Sequence, residues 1–195
     1  MPPRKSGRII VISAPSGAGK TSVIHRLRAR NDNMIHSVSA TTRPMRKGEI
    51  DGRDYHFIDE ITFKDWIGNG KLAEWNRVHN HGYGTPKEPL DKWLADRKDV
   101  LLDLDVIGGL RLTEMYRDRA ISIFLLPPSQ EELVKRLNSR GTDSKEVREL
   151  RLKNAMKEMT YKDKFDHQVV NDALDKACFD IEGILYAPPR RNRKA

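Results

Sequence analysis

Residues 8–21 read Arg8-Ile9-Ile10-Val11-Ile12-Ser13-Ala14-Pro15-Ser16-Gly17-Ala18-Gly19-Lys20-Thr21. An apolar run over 8–14 meets a glycine-rich turn, and a helical pattern over 20–29 follows at once. Four large aliphatic residues in a row, with no polar alternation, are what a strand buried on both faces requires. The turn matches the G-x-x-x-x-G-K-[ST] phosphate loop at every position except the first, where Ala14 stands for glycine. Gly17 and Gly19 let backbone N–H groups converge on phosphate oxygens with no Cβ in the way, and a helix N-terminus adds a dipole that favours anions. Lys20 is the residue type that reaches β- and γ-phosphates, and the Thr21 hydroxyl is a ligand for Mg²⁺. Ala14 is harmless if its φ is negative and strained by about 1–2 kcal/mol if that position must be left-handed.

Outward from this loop, short apolar runs alternate with helical patterns. Residues 99–105 (DVLLDLD) and 120–126 (AISIFLL) read as further buried strands. Pro127-Pro128-Ser129 then opens a helix to about 139, with Ser129 as N-cap and Glu132 at the capping-box position. A charged helix over 144–159, a short strand over 166–170 and a closing amphipathic helix over 173–186 complete the pattern. The expected fold is α/β: a P-loop-type parallel sheet with helices on both faces. Residues 36–95 break the rhythm with short segments such as DYHFI (54–58) and LAEWNRV (72–78). They predict a mixed lobe inserted at the carboxyl edge of the sheet, the place where a parallel sheet binds ligands. Asp103 and Asp105 end the second buried run, and strand alternation would put both on one face, as acids serving a metal held by the phosphate loop.

Composition narrows the classes. The chain has 195 residues, 36 Lys+Arg against 28 Asp+Glu, and a net charge of +8. Four of the basic groups lie in residues 188–195, read as a disordered tail, and Arg4 and Lys5 add two at the other end. The body between them carries only about +2, which argues against a nucleic-acid-binding protein. One cysteine, Cys178, excludes an internal disulfide framework. No run approaches the roughly 18 apolar residues of a membrane span, and the run at 9–12 is too short for a secretory signal, so a cytoplasmic location is expected.

The second cluster is Ser37-Val38-Ser39-Ala40-Thr41-Thr42-Arg43-Pro44-Met45-Arg46, followed by Gly48-Glu49, Gly52 and Asp54-Tyr55. Two arginines three apart, with Tyr55 beyond, suit a dianionic phosphate held by forked charge-assisted bonds. Glu74-Trp75 and Gly82-Tyr83-Gly84-Thr85-Pro86 follow. In a purine pocket a carboxylate such as Glu74 accepts from two neighbouring N–H groups of guanine, a pair that adenine lacks.

These segments, with L-P-P-S, R-L-N-S-R-G-T-D-S and V-V-N-D, resemble the guanylate kinases from about Gly7 to Tyr186. The resemblance implies one domain over 7–187, with a core at 7–35 and 96–187, a GMP-binding lobe at 36–95 and a helical lid at about 136–156. It implies transfer of the γ-phosphoryl of MgATP to GMP, with dGMP a second acceptor. The GMP phosphate falls to Arg43, Arg46, Tyr55 and Tyr83. The guanine falls to Ser39, Glu74 and Thr85, with Asp105 near it. ATP falls to Ala14, Pro15, Ser16, Gly17, Ala18, Gly19, Lys20 and Thr21, with the lid arginine Arg136 reaching the transferring phosphoryl and Asn171 and Asp172 bordering the adenine. Lys20, Arg46, Arg140 and Arg151 would neutralise the transferring group, and Thr21 with Asp103, through water, would serve Mg²⁺. Two further departures from the family pattern are Ile107, where Gln is usual, and Gly82, where an aromatic residue is common. A phosphopeptide-binding module of the same fold and a ribose-phosphate kinase are the alternatives, and assembly into a homo-oligomer is compatible with the sequence.

Overall fold

The computed structural model describes residues 7–78, 80–138 and 145–186, with the main chain alone at 145, 146 and 148. In chain order the elements are β1 (Arg8–Ser13), α1 (Lys20–Arg30), β2 (Met34–His36), β3 (Ala40–Thr41), β4 (His56–Phe57), α2 (Glu60–Gly68), β5 (Leu72–Val78) and β6 (His81–Pro86). They continue with α3 (Lys87–Ala95), β7 (Asp99–Asp103), α4 (Val106–Tyr116), β8 (Ala120–Leu126), α5 (Gln130–Asn138), α6 (Lys145–Met159), β9 (His167–Val170) and α7 (Leu174–Tyr186).

β1 is the middle strand of a five-stranded sheet ordered β2-β7-β1-β8-β9, and every pairing is parallel. Its aliphatic run explains the position, because alternate residues feed opposite faces. Ile10 and Ile12 join Val23, Ile24 and Leu27 of α1 and Ala177, Ile181 and Leu185 of α7. Ile9 and Val11 join Leu90 and Leu94 of α3 and Leu112 and Tyr116 of α4. Both faces are therefore sealed, as the sequence predicts. The chain leaves β1 with β7 on one side and β8 on the other, so the loop after β1 sits where the strand order reverses.

A second sheet, ordered β4-β3-β6-β5, is mixed: β3 runs parallel to β4, while β6 is antiparallel to both β3 and β5. Only His56 and Phe57 of the DYHFI segment are strand. α5 and α6 pack through Leu133, Leu137 and Ala155. The Ser129 Oγ accepts from the Glu132 N–H at 3.1 Å, the predicted N-cap bond.

Two sequence readings need correction. The second buried strand stops at Asp103, not at 105. Asp105 instead caps α4, its Oδ1 accepting from the N–H of Ile107 at 2.9 Å and of Gly108 at 3.1 Å. Asp103 and Asp105 therefore do not share one strand face. α4 itself and the three-residue edge strand β2 were not anticipated, since paired glycines weaken a helical pattern and β2 is too short to show a period.

Candidate active site

The loop between β1 and α1 has the backbone that its glycines allow. Gly17 and Gly19 have φ of 92° and 88°, and Gly19 is the left-handed N-cap of α1. Ala14 is not among the residues of positive φ, so its replacement of glycine carries no left-handed strain. The Ala18 N–H donates to the Pro15 carbonyl at 3.0 Å, closing the turn. Lys20 Nζ donates to the Leu104 carbonyl at 2.9 Å and pairs with Asp103.

Asn171 lies beneath this loop. Its Nδ2 donates to the Ala18 carbonyl at 2.7 Å, its N–H donates to the Leu126 carbonyl at 2.8 Å, and its own carbonyl accepts from Arg136 at 3.3 Å. A Cβ on Gly19 would lie 2.5 Å from Asn171 Nδ2, so the glycine is also needed for this brace. Asp172, next along, is exposed and accepts from the Ala173 N–H at 2.8 Å.

A cleft of about 340 Å³ joins the two sheets. From the core it is lined by Ala14, Pro15, Ser16, Gly17, Gly19, Lys20, Thr21, Asp103 and Asp105. From the lobe it is lined by Ser39, Tyr55, Glu74 and Tyr83. Thr85 is fully buried behind Glu74 and donates its hydroxyl to Glu74 Oε1 at 2.7 Å. Burial pushes the Glu74 carboxyl up to about 7, and the nearby Asp105 charge adds to that, against the lowering effect of the Thr85 bond.

Arg43 stands behind the tyrosines. Its guanidinium is 5.5 Å from the Tyr55 ring centre and 5.6 Å from that of Phe57. Tyr55 and Tyr83 meet edge to face at 5.9 Å. Arg43 is also forked onto Glu49 at 2.7 and 3.0 Å, which holds the guanidinium above its ordinary value and Glu49 below its own. Burial raises the Tyr55 hydroxyl to about 12, so it stays a neutral donor.

Arg46 and Arg151 do not line this cleft. Both line an adjoining one of about 930 Å³ between the lobe and α6, which Ile107 also lines. Arg140 lies outside the described residues. Gly82 has a direct reason: a Cβ there would meet the Phe63 ring at 2.5–2.8 Å, so an aromatic residue would not fit. The sequence reading missed Asn76, which donates to Asp105 Oδ1 at 3.3 Å, and Glu158, which accepts from the Ser16 N–H at 3.2 Å. Neither lies in a recognisable spacing.

The Thr21 hydroxyl and the Asp103 carboxylate both open on the same cleft as Lys20. Two hard oxygen donors suit Mg²⁺, which takes its other ligands from water and phosphate oxygens.

A parallel sheet whose central strand runs into a glycine loop with Lys-Thr, beside an acid at the end of the next strand, defines a P-loop nucleotide-binding protein of the α/β class. The comparisons refine that class. The profile of the family described as Guanylate kinase matches residues 6–187. The chain is 41% identical to a guanylate kinase of Zymomonas mobilis over 97% of its own length and 88% of the relative's. It is 45% identical to one of Gloeobacter violaceus over 92% of its length and 87% of that relative's. A crystal structure of guanylate kinase from Anaplasma phagocytophilum superposes with a TM-score of 0.78 at 33% identity, covering 93% of this chain and 86% of that one. The chain belongs to the guanylate kinase family.

Proposed function

We propose that this chain transfers the γ-phosphoryl group of ATP to GMP, giving ADP and GDP. The observation that carries this reading is the cleft between the sheets, with the glycine loop, Lys20 and Thr21 on one wall and Ser39, Tyr55, Glu74 and Tyr83 on the other. One nucleotide is held by its phosphates and the other by base and phosphate, so their reacting ends meet.

On the donor side the loop from Ala14 to Thr21 takes the phosphates, and Asn171 with Arg136 fixes the loop from below. Asp172 borders the nucleoside. On the acceptor side Glu74, set by Thr85, accepts from the guanine N–H pair, with Ser39 and Asp105 beside it. Arg43, Arg46, Tyr55 and Tyr83 hold the acceptor phosphate. dGMP is taken in the same way, because none of these contacts needs the 2′-hydroxyl.

The attacking phosphate oxygen is already anionic near neutral pH, so no general base is required. The task is alignment and charge neutralisation. Lys20, Arg46, Arg140 and Arg151 converge on the transferring group, and the α5–α6 region acts as a lid that excludes water. Thr21 and Asp103 would hold Mg²⁺, which would supply positive charge to the triphosphate. Lys20 and Asp103 are paired in this structure, so triphosphate entry must exchange that pair for phosphate contacts. Among the described residues no helix is long and apolar enough to cross a membrane, and the proposed setting is cytoplasmic.

The test is ADP release from MgATP offered with GMP, dGMP, AMP, CMP and UMP in turn. GMP and dGMP should be turned over far faster than the rest. The Lys20→Ala variant should lose transfer while keeping its circular dichroism. ADP release that ignores GMP, or equal rates with AMP, would refute the assignment.

A further inference from the structure

α6 meets the phosphate loop at Ser16. The Ser16 N–H donates to Glu158 Oε2 at 3.2 Å, and Arg151 Nη2 donates to Ser16 Oγ at 3.0 Å. Arg151 and Glu158 are seven positions apart, about two turns, so they project from one face of the helix. Glu158 also lines the cleft that Gly17, Gly19 and Lys20 line.

A backbone N–H in a glycine loop ahead of a helix is a receptor for anions. Here that receptor is filled by a carboxylate of the chain itself. Lys20 is in the same condition, since Asp103 pairs with it. Asp103 has a second use, as an oxygen donor beside Thr21. Nothing in the transfer chemistry uses Glu158, whose negative charge opposes the gathering of phosphates.

We propose that Glu158 is an internal anion that holds the Ser16 amide until a nucleotide phosphate replaces it, and that it thereby sets the loop's affinity for polyphosphate. The inference rests on the reading of this loop as the phosphate cradle. The amide is satisfied in both states, so the empty loop keeps its shape. A polyphosphate that enters must break a charge-assisted bond and then lie near the displaced carboxylate. The same exchange unhooks α6 from the loop, which couples the position of the helix bearing Arg151 to loop occupancy.

The experiment is titration calorimetry of the full chain with inorganic pyrophosphate, and separately with ATP in the absence of GMP. Glu158→Gln keeps an oxygen that can accept from Ser16 but removes the charge, and should bind both ligands on the order of tenfold more tightly. Glu158→Ala should shift in the same direction. Glu149→Gln removes an equal charge from an exposed position on the same helix and should change affinity less than twofold. Unchanged or weaker binding by Glu158→Gln overturns the proposal, as does an equal gain in Glu149→Gln. A fall in kcat with an unaltered KM for ATP also overturns it, because that is the signature of a mere brace for Arg151. A wild-type chain that binds neither ligand refutes the reading of the loop, and the proposal with it.

Discussion

Glu74 is the buried carboxyl proposed to select the base. It is 7% exposed, bonded to the Thr85 hydroxyl, and pushed up to about 7 mainly by burial. In the folded chain it therefore binds its proton more tightly than in the unfolded chain. Stability attributable to this group is present at low pH and is lost as pH rises from about 4.5 toward 7. At pH 8 the buried charge should cost up to about 3 kcal/mol. Glu74→Gln should then raise the ligand-free unfolding free energy at pH 8 and leave it little changed near pH 4, as chemical denaturation at the two pH values would show. A pH-independent effect would mean that the carboxyl is not the titrating group. The same residue is the one proposed to carry the base preference. Glu74→Ala should erode GMP-over-AMP selectivity by 10²-fold or more while the KM for ATP moves less than threefold. Steady-state kinetics with each acceptor decides it.

At the scale of elements, the fit of α4 against β5 is set by glycine. A Cβ on Gly108 would lie 2.6 Å from Glu74 Oε2, and one on Gly109 would lie 2.7 Å from Ser13 Oγ. Gly108 has ordinary helical φ, so alanine there should gain about 1 kcal/mol of helix propensity. The atom it displaces, Glu74 Oε2, is at the far end of a side chain and not in the backbone. Gly108→Ala should therefore keep or raise the melting temperature yet increase the KM for GMP at least tenfold, separating stability from binding. A parallel loss of both would show that the backbone, not the carboxylate, gives way. The core strands and phosphate loop were legible because a continuous aliphatic run and a glycine spacing are local signals. α4 was not, because Gly108-Gly109 reads as a helix breaker until the neighbour that demands it is known. Asp105 misled for a related reason: an acid at a strand end and an acid capping the next helix look alike in one dimension. Glu158 left no trace, since its meaning comes from a contact between residues 142 positions apart.

For the whole molecule, the two sheets share a cleft, and the proposed reaction assigns one nucleotide to each wall. The groups proposed for the acceptor belong to the β4-β3-β6-β5 lobe and those proposed for the donor to the end of β1, so bringing the reacting phosphates together is a matter of how the sheets are held. A ligand that carries both nucleosides on one polyphosphate would engage both walls at once, and its second contact would be intramolecular. An adenosine–guanosine pentaphosphate should therefore bind at least 10²-fold more tightly than ATP or GMP alone. It should raise the melting temperature by more than the two nucleotides together at equal concentration. The advantage should shrink steeply between 0.05 and 0.5 M salt, because anions meeting Lys20, Arg43, Arg46 and Arg151 supply much of it. In the Lys20→Ala variant the pentaphosphate should lose most of its margin over GMP, since only the acceptor wall would still grip it. Equal affinity for the linked ligand and for GMP in the wild-type chain would mean that the two walls do not face one reaction.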